Sequence, residues 1–303
     1  MIKNFTEALN QCKKYPPQKT IVISAADRDV LEAVFHAKIS GIIDPILIDS
    51  KEKIQEVMGN DLSIDNIQII DEPDKMVQCK LGMELIREKK ASILMKGLIS
   101  TPILFKEVLN KDYGIRQGKL LSHVGVIKSE KYHKLLLMTD GGIVTDATLE
   151  NKIEILKNAL IVSKALEIEI AKAAIISAIE TLTVNIQSTL DAAIITRMTE
   201  RKQIPGVIAD GPLALDNAIS IESCKHKGIQ SAIAGDVDIL LMPNIESGNV
   251  FYKALMYLGG GNTESAGLVI GAMVPIVVPS RADTPESKFN SILISSLISN
   301  LRK

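Results

Sequence analysis

The chain has 303 residues, 46% hydrophobic and 23% charged, with a formal net charge of −1 at pH 7. That length calls for about two domains, the apolar fraction supports a large core and excludes a disordered chain, and the near-zero charge argues against a nucleic-acid surface as the main business of the molecule. With no Trp and 3% aromatic residues, platforms for base stacking are lacking and the core must be Ile, Leu, Val and Ala.

Cys12, Cys79 and Cys224 are widely spaced and match no metal or disulfide pattern, which suits a reducing cytoplasm. The stretch Met1 to Glu7 lacks the apolar centre of a signal peptide, and no apolar run reaches the length of a membrane span without a charge. A cytoplasmic protein is expected, with small molecules as partners and neither nucleic acid nor membrane.

Residues 21–26 read as a strand and 27–38 as a helix with Asp27 as its cap, closed by Gly41. A strand at 45–48, a helix at 51–58, a strand at 66–70, a helix at 76–90 and a strand at 92–95 follow. This alternation argues for parallel strands with helices on both faces. The fourth strand runs into Lys96-Gly97, then Ser100 or Thr101 as a cap with Pro102 at the helix start. An anion-binding loop and an ordinary strand–helix turn share that composition.

Residues 120–127 and 134–143 read as two strands of a hairpin joined by a polar turn at 128–131, which breaks the rhythm and suggests passage into a second domain. Asp140-Gly141-Gly142 lets backbone approach something closely, or makes a tight turn. A helix at 151–166, a strand at 173–177 and a helix at 186–200 come next. Residues 206–218 read as a strand with an exit loop in which Asp210 and Asp216 flank the Gly211-Pro212 turn. The strand at 238–242 leaves through a polar segment, 243–253, with Gly248 inside the first helical turn. Glycine there costs helix stability, so close approach of a ligand is a motive for it. Residues 259–262 read as a mobile glycine loop.

The run 274–278 is short, β-branched and uncharged, hence a buried strand. It stops at Ser280-Arg281, and Thr284-Pro285 reads as an N-cap with Pro at the first helical position of a terminal helix, 283–301. Its apolar side carries Phe289, Ile292, Leu293, Leu297 and Ile298. Ser280 and Arg281 thus fall where a strand's carboxyl end meets a helix N-terminus, which suits an anion. Five strand ends, near Lys96, Asp140, Asp210, Asn244 and Ser280, carry polar glycine-bearing loops, and such loops on one edge of two sheets define one cleft.

The chain has no GxGxxG after a strand, no GxxxxGK[ST] and no GxSxG. Its four histidines show no ligand spacing, which leaves a metal site with little support. His123, inside an apolar strand, reads more readily as a core histidine than as a base.

Asp210-Gly211-Pro212-Leu213-Ala214-Leu215-Asp216-Asn217-Ala218, then Pro243-Asn244-Ile245-Glu246-Ser247-Gly248-Asn249-Val250-Phe251-Tyr252-Lys253, then Ser280-Arg281-Ala282-Asp283 resemble the phosphate acetyl/butyryltransferase family. Met95 to Thr101 and Ser122-His123-Val124 are similar to its shorter, butyryl-type branch. The resemblance runs in order from about residue 93 to the end. It implies α/β architecture with two α/β/α domains, mainly parallel sheets and an inter-domain cleft, like the isocitrate and isopropylmalate dehydrogenases. The expected domains are 1–130 with 272–303, and 131–271.

The implied reaction is acyl-CoA plus phosphate to acyl phosphate plus CoA, butyryl first and acetyl as the alternative. No permanent cofactor, metal or covalent acyl-enzyme is implied; coenzyme A, acyl-CoA and phosphate are substrates. The resemblance gives Ser280 the tetrahedral intermediate and Arg281 the phosphate or CoA side. Lys96, Gly97, Asp210, Gly211, Asn244, Glu246, Gly248, Asn249 and Lys253 are the expected substrate-binding residues.

Acetyl-type members carry an aspartate, proposed as the base for the CoA thiol, seven residues after the serine; that position is Ser287 here. Candidate bases are then His123, Asp283 and Glu286, or electrostatic support from Lys96. A homo-oligomer, dimer or higher, is expected from the family and from a mean hydropathy of +0.19, with 168–179 as a candidate surface. A non-catalytic acyl-CoA-binding module and a metal-dependent decarboxylating dehydrogenase are the competing readings; Ser280-Arg281 argues against the first and the lack of a carboxylate cluster against the second.

Overall fold

Caps and β-branched runs alternate along the sequence, and the computed structural model, which describes residues 1–59, 67–260, 262–279 and 283–301, shows what they build. Helix α1 (Phe5–Cys12) leads into β1 (Gln18–Ile23), α2 (Arg28–Ile39), β2 (Ile43–Asp49), α3 (Lys51–Met58), β3 (Gln68–Asp71), α4 (Lys75–Arg87), β4 (Ile93–Lys96) and α5 (Thr101–Val108). The hairpin β5 (Ser122–Lys128) and β6 (Leu136–Thr139) precedes α6 (Leu149–Ala165), β7 (Ala171–Ile176), α7 (Gln187–Glu200), β8 (Val207–Leu213), α8 (Leu215–Ile219), α9 (Ile221–Lys227), β9 (Ile239–Leu241) and α10 (Ile245–Leu258). The chain closes with β10 (Glu264–Ile270), β11 (Ile276–Val277) and α11 (Pro285–Leu301).

The chain divides into two compact units, one of Phe5–Leu121 with Ala266–Lys303 and one of Met1–Asn4 with Ser122–Ser265. The limits expected from the sequence are 130 and 271; here they fall at 121 and 265, residues 1–4 go with the second unit rather than the first, and the hairpin opens the second unit.

In the first unit the strand order is β3-β2-β1-β4-β11-β10. All neighbours are parallel except β10, which runs antiparallel to β11. Consecutive residues of a strand face opposite sides of its sheet. Ile21, Val22 and Ile23 are all fully buried, so both faces are covered. Helix α11 packs against α2, α1, β4 and β11, and α4 against β1, β2 and α5.

In the second unit the order is β5-β6-β9-β7-β8, parallel from β6 onward with β5 antiparallel to β6. Ile239, Leu240 and Leu241 are again buried in succession. Its core gathers Met138, Ile176, Leu213, Val237 and Leu240, with Phe251 and Tyr252 of α10 against them.

Parallel pairing puts strand carboxyl ends on one edge of each sheet. In the first unit that edge holds Ser24, Asp49, Lys96 and the residues after β11; in the second it holds Asp140, Ser177 and Asn244.

Three expectations are corrected. Asp210, Gly211 and Pro212 lie inside β8 rather than in an exit loop. β8 is the last strand in its unit's order and pairs only with β7 there, so a proline's missing N–H is tolerated. The strand expected at 274–278 is Ile276–Val277. Pro275 cannot donate to a ladder, although its carbonyl still accepts from the Leu94 N–H at 3.2 Å. Helices α1, α8 and α9, of 8, 5 and 7 residues, had not been anticipated. Asn66 and Gly261, from the expected third strand and glycine loop, lie outside the described residues.

Candidate functional site

The site of the first unit is built where β1 and β4 end together, Ile23 beside Lys96 in parallel register. The chain after β4 turns tightly against the chain after β1. The Gly97 N–H donates to the Ile23 carbonyl at 2.8 Å and the Leu98 N–H to the Ser24 carbonyl at 2.7 Å. A Cβ on Gly97 would stand 2.0 Å from that Ser24 oxygen, so only glycine fits. Ser24 itself has φ +54° and is held by its hydroxyl, which donates to Gln78 Oε1 at 2.6 Å. The buried Gln78 amide in turn donates to the Glu72 carbonyl at 2.7 Å and to Asp49 Oδ1 at 3.2 Å. One polar cluster thus ties the β1 and β2 ends to the chain after β3, beneath the Lys96 loop.

Above it lies a cavity of about 190 Å³ lined by Asp27, Asp29, Val30, Lys96, Gly97, Leu98, Ile99, Pro279 and Lys288. β11 pairs in parallel with β4, Val277 beside Met95, which brings Pro279, the residue before Ser280, to the Lys96 loop. Lys96 is 8% exposed and donates to the Gly97 carbonyl at 3.2 Å. Asp27 caps α2, its Oδ1 accepting from the Val30 N–H at 2.9 Å. Lys288 is 3% exposed, pairs with Asp29 Oδ2 at 3.3 Å and donates to the Asp283 carbonyl. Two buried ammonium groups, the N-terminus of a 12-residue helix and two engaged carboxylates therefore meet in one small cavity, a setting suited to an anion.

In the second unit the organising group is Asp140, 4% exposed at the end of β6. Its Oδ2 accepts from the His123 N–H at 2.7 Å, and its Oδ1 from the N–H groups of Gly142 at 2.6 Å and Ile143 at 2.9 Å. The Thr139 hydroxyl donates to the His123 carbonyl at 2.7 Å. The His123 ring stands edge-on to Tyr252, centroids 6.0 Å apart, and a Cβ on Gly142 would touch it at 3.4 Å. Asn244 caps α10 by accepting from the Ser247 N–H at 2.9 Å, and the Asn249 amide donates to the Gly141 carbonyl at 3.0 Å.

The residues expected from the sequence are distributed as follows. Lys96 and Gly97 line the cavity of the first unit. Gly248, Asn249 and His123 meet the Asp140 loop, Asn244 caps the helix that carries the first two, and Glu246 and Lys253 lie exposed on α10. Asp210 is half-buried in β8, its Oδ1 accepting from the Gly211 N–H at 2.8 Å, and a Cβ on Gly211 would meet the Ile175 carbonyl at 2.7 Å. Asp283 is half-buried and Glu286 exposed at the start of α11, which Thr284 caps through the Ser287 N–H at 3.2 Å. Ser280 and Arg281 lie outside the described residues. Among the described residues no group of three His, Cys, Asp or Glu side chains is placed to hold a metal ion, and no helix is long and apolar enough to cross a membrane.

The sequence model described as Phosphate acetyl/butaryl transferase matches residues 75–296, a span that takes in every candidate residue from Lys96 to Glu286. The chain belongs to this family. A phosphate butyryltransferase of Clostridium acetobutylicum is 41% identical over 299 residues, 98% of this chain and 99% of that protein. A phosphate acetyltransferase of Thermotoga maritima is 37% identical over 294 residues, 97% of this chain and 99% of that one. The crystal structure of a branched-chain phosphotransacylase from Enterococcus faecalis matches with a TM-score of 0.81 at 28% identity, covering 93% of this chain and 99% of that one.

Two features of these sites have no counterpart in the sequence motifs: the burial of Lys288 at the cavity, and the three N–H groups gathered by Asp140. A signal existed for Lys288: it precedes Ile292 by four residues and so falls on the apolar side of the terminal helix. For Asp140, nothing local distinguishes a carboxylate that organises three N–H groups from one in an ordinary turn.

Proposed function

We propose that this chain transfers a butyryl group reversibly between coenzyme A and inorganic phosphate. A phosphate oxygen attacks the thioester carbonyl, the C–O bond forms, the C–S bond breaks, and the thiolate leaves with its electron pair. The observation that carries the reading is the end-to-end similarity, at 41% identity, to a phosphate butyryltransferase. The cavity with Lys96 and Lys288 supports it, since it offers buried positive charge to an anionic substrate.

In this reading the Ser280 hydroxyl donates to the oxyanion of the tetrahedral intermediate, a contact of a kind typically worth roughly 10²–10³ in rate. Arg281 holds phosphate, at about 1.5–3 kcal/mol for a hydrogen bond to a charged group. Gly97, Asp210, Gly211, Asn244, Glu246, Gly248, Asn249 and Lys253 contribute to binding, Gly248 by shaping the Asp140 loop. His123, Asp283 and Glu286 are the candidate bases for the reverse direction. A weak base suffices there: a thiol of pKa ~8.5 is already a few per cent thiolate at pH 7, and full ionisation is worth only about 2 kcal/mol.

The fold is read as two α/β/α units of the isocitrate dehydrogenase kind, and the protein as a cytoplasmic homo-oligomer; a monomer in light scattering would remove the oligomer.

The test is phosphate-dependent release of CoA from butyryl-CoA and acetyl-CoA by the unmodified chain and by Ser280→Ala. Butyryl-CoA is expected to be preferred, with turnover lost by about 10²-fold or more in the variant. A preference for acetyl-CoA would move the reading to phosphate acetyltransferase, the second choice, which rests on 37% identity to such an enzyme. Tight CoA binding without turnover would make the chain a binding module.

A further inference from the structure

Lys288 has no place in the family pattern read from the sequence, and its surroundings ask for a ligand. An ammonium carries three N–H donors. One donates to Asp29 Oδ2 at 3.3 Å and one to the Asp283 carbonyl; for the third, no acceptor is found among the described residues. The side chain is 3% exposed whereas that of Asp29 is 50% exposed, so the neutralising charge is half in water while the ammonium is not. Burying an incompletely bonded charge is costly. The open space beside Lys288 is the cavity it shares with Lys96, whose volume of about 190 Å³ far exceeds the ~15 Å³ that one water needs. The two carboxylates lining it are already engaged, Asp27 by the α2 cap and Asp29 by Lys288 itself.

We propose that Lys288, together with Lys96, holds a phosphate group of a substrate in this cavity. The inference rests on the acyl-transfer reading, and the group belongs either to inorganic phosphate or to coenzyme A.

The experiment compares the unmodified chain with Lys288→Gln, which keeps a donor for the Asp283 carbonyl and removes the charge, and with Lys288→Arg, which keeps the charge. Circular dichroism establishes that each is folded. One substrate's KM is expected to rise tenfold or more in Lys288→Gln, the factor for one charge-assisted hydrogen bond, and to recover in Lys288→Arg. A rise for phosphate assigns inorganic phosphate; a rise for butyryl-CoA assigns a coenzyme phosphate. Both KM values unchanged, with kcat falling only as the folded fraction falls, would overturn the proposal and leave Lys288 a packing anchor.

A second measurement does not depend on turnover. Inorganic phosphate or free coenzyme A is expected to raise the thermal midpoint of the unmodified chain by mass action, and to do so less for Lys288→Gln. If that protection is seen while the unmodified chain fails to turn over, the site stands and the acyl-transfer reading falls. If turnover is present and protection is equal in both chains, the site falls alone.

Discussion

Gly248 and Gly141 meet backbone to backbone. A Cβ on Gly248 would lie 2.5 Å from the Asp140 carbonyl oxygen and 2.9 Å from the Gly141 Cα, and one on Gly141 would lie 2.9 Å from the Gly248 carbonyl carbon. The glycine inside the first turns of α10 therefore answers to a neighbouring chain segment: it lets the helix start seat against the Asp140 loop, where Asn249 locks it to the Gly141 carbonyl at 3.0 Å.

Gly248→Ala is accordingly expected to destabilise the protein, although alanine is the better helix former. Forcing the Cβ into backbone costs about 1–3 kcal/mol, read as a lower urea midpoint. Displacing the loop by an ångström costs roughly 10² in kcat/KM. A stabilised, fully active variant would show that the contact is slack.

Gly97→Ala tests the Lys96 loop in the same way. The new Cβ would meet the Ser24 carbonyl at 2.0 Å, and neither partner is a flexible side chain. The loop must shift, taking Lys96 with it, so phosphate KM is expected to rise by about tenfold or more, in line with loss of a hydrogen bond to a charged group. Unchanged kinetics would separate Lys96 from substrate binding.

At the amino-terminal edge of β6 and β9, Lys134 pairs with Asp238 at 2.6 Å, the two side chains 4% and 3% exposed. Lys134→Met leaves that carboxylate buried without its partner, at a cost of about 3–5 kcal/mol. The pair is remote from the strand ends that carry the Asp140 loop, so a large fall in the urea midpoint is expected with both KM values unchanged.

Asp236 gives a pH dependence. Burial raises its pKa, but hydrogen bonds from Lys134, Lys172 and His133 outweigh this and hold the carboxyl well below the usual range. The folded pKa being the lower one, the stability it contributes is present above about pH 4 and is lost as pH falls below that. The destabilisation caused by Asp236→Asn, measured by urea unfolding, is therefore expected to shrink between pH 5 and lower pH. A difference independent of pH over that range would refute the assignment.

Burial pushes the thiols of Cys12 and Cys79 up to about 12 and also raises that of Cys224. All three cysteines are free and buried. A thiol reagent at pH 8 is expected to find no fast-reacting cysteine in the native protein and all three after denaturation, since the thiolate is the reacting form. A prompt reaction in the native state would contradict their burial.

The helix starts at Asp27 and Thr284 were legible in the sequence because a cap is a local arrangement: a short polar side chain bonds N–H groups two or three residues on. The β5–β6 hairpin was legible for a similar reason, its polar turn lying between two apolar runs. Asp210-Gly211-Pro212 was misread because glycine and proline mark turns as a rule, and their place in β8 depends on that strand's having one neighbour in its unit, which no local pattern reveals. The short helices α8 and α9, of 5 and 7 residues, escaped because a segment of one or two turns is too short to show a period.

By itself the sequence determined the alternation of strands and helices, the family, and the motifs at Lys96, Asn244 and Ser280, all of which reside in neighbouring residues. Only the tertiary structure decided that β4 and β11, paired Leu94 to Ile276 and Met95 to Val277, lie side by side, so that Lys96 and Pro279 share a cavity. Only it decided that Lys288 is buried in that cavity and that Gly248 faces Gly141. Each of these depends on strand order and on contact between distant segments, and burial, unlike a cap or a period, is a property of the whole packed chain.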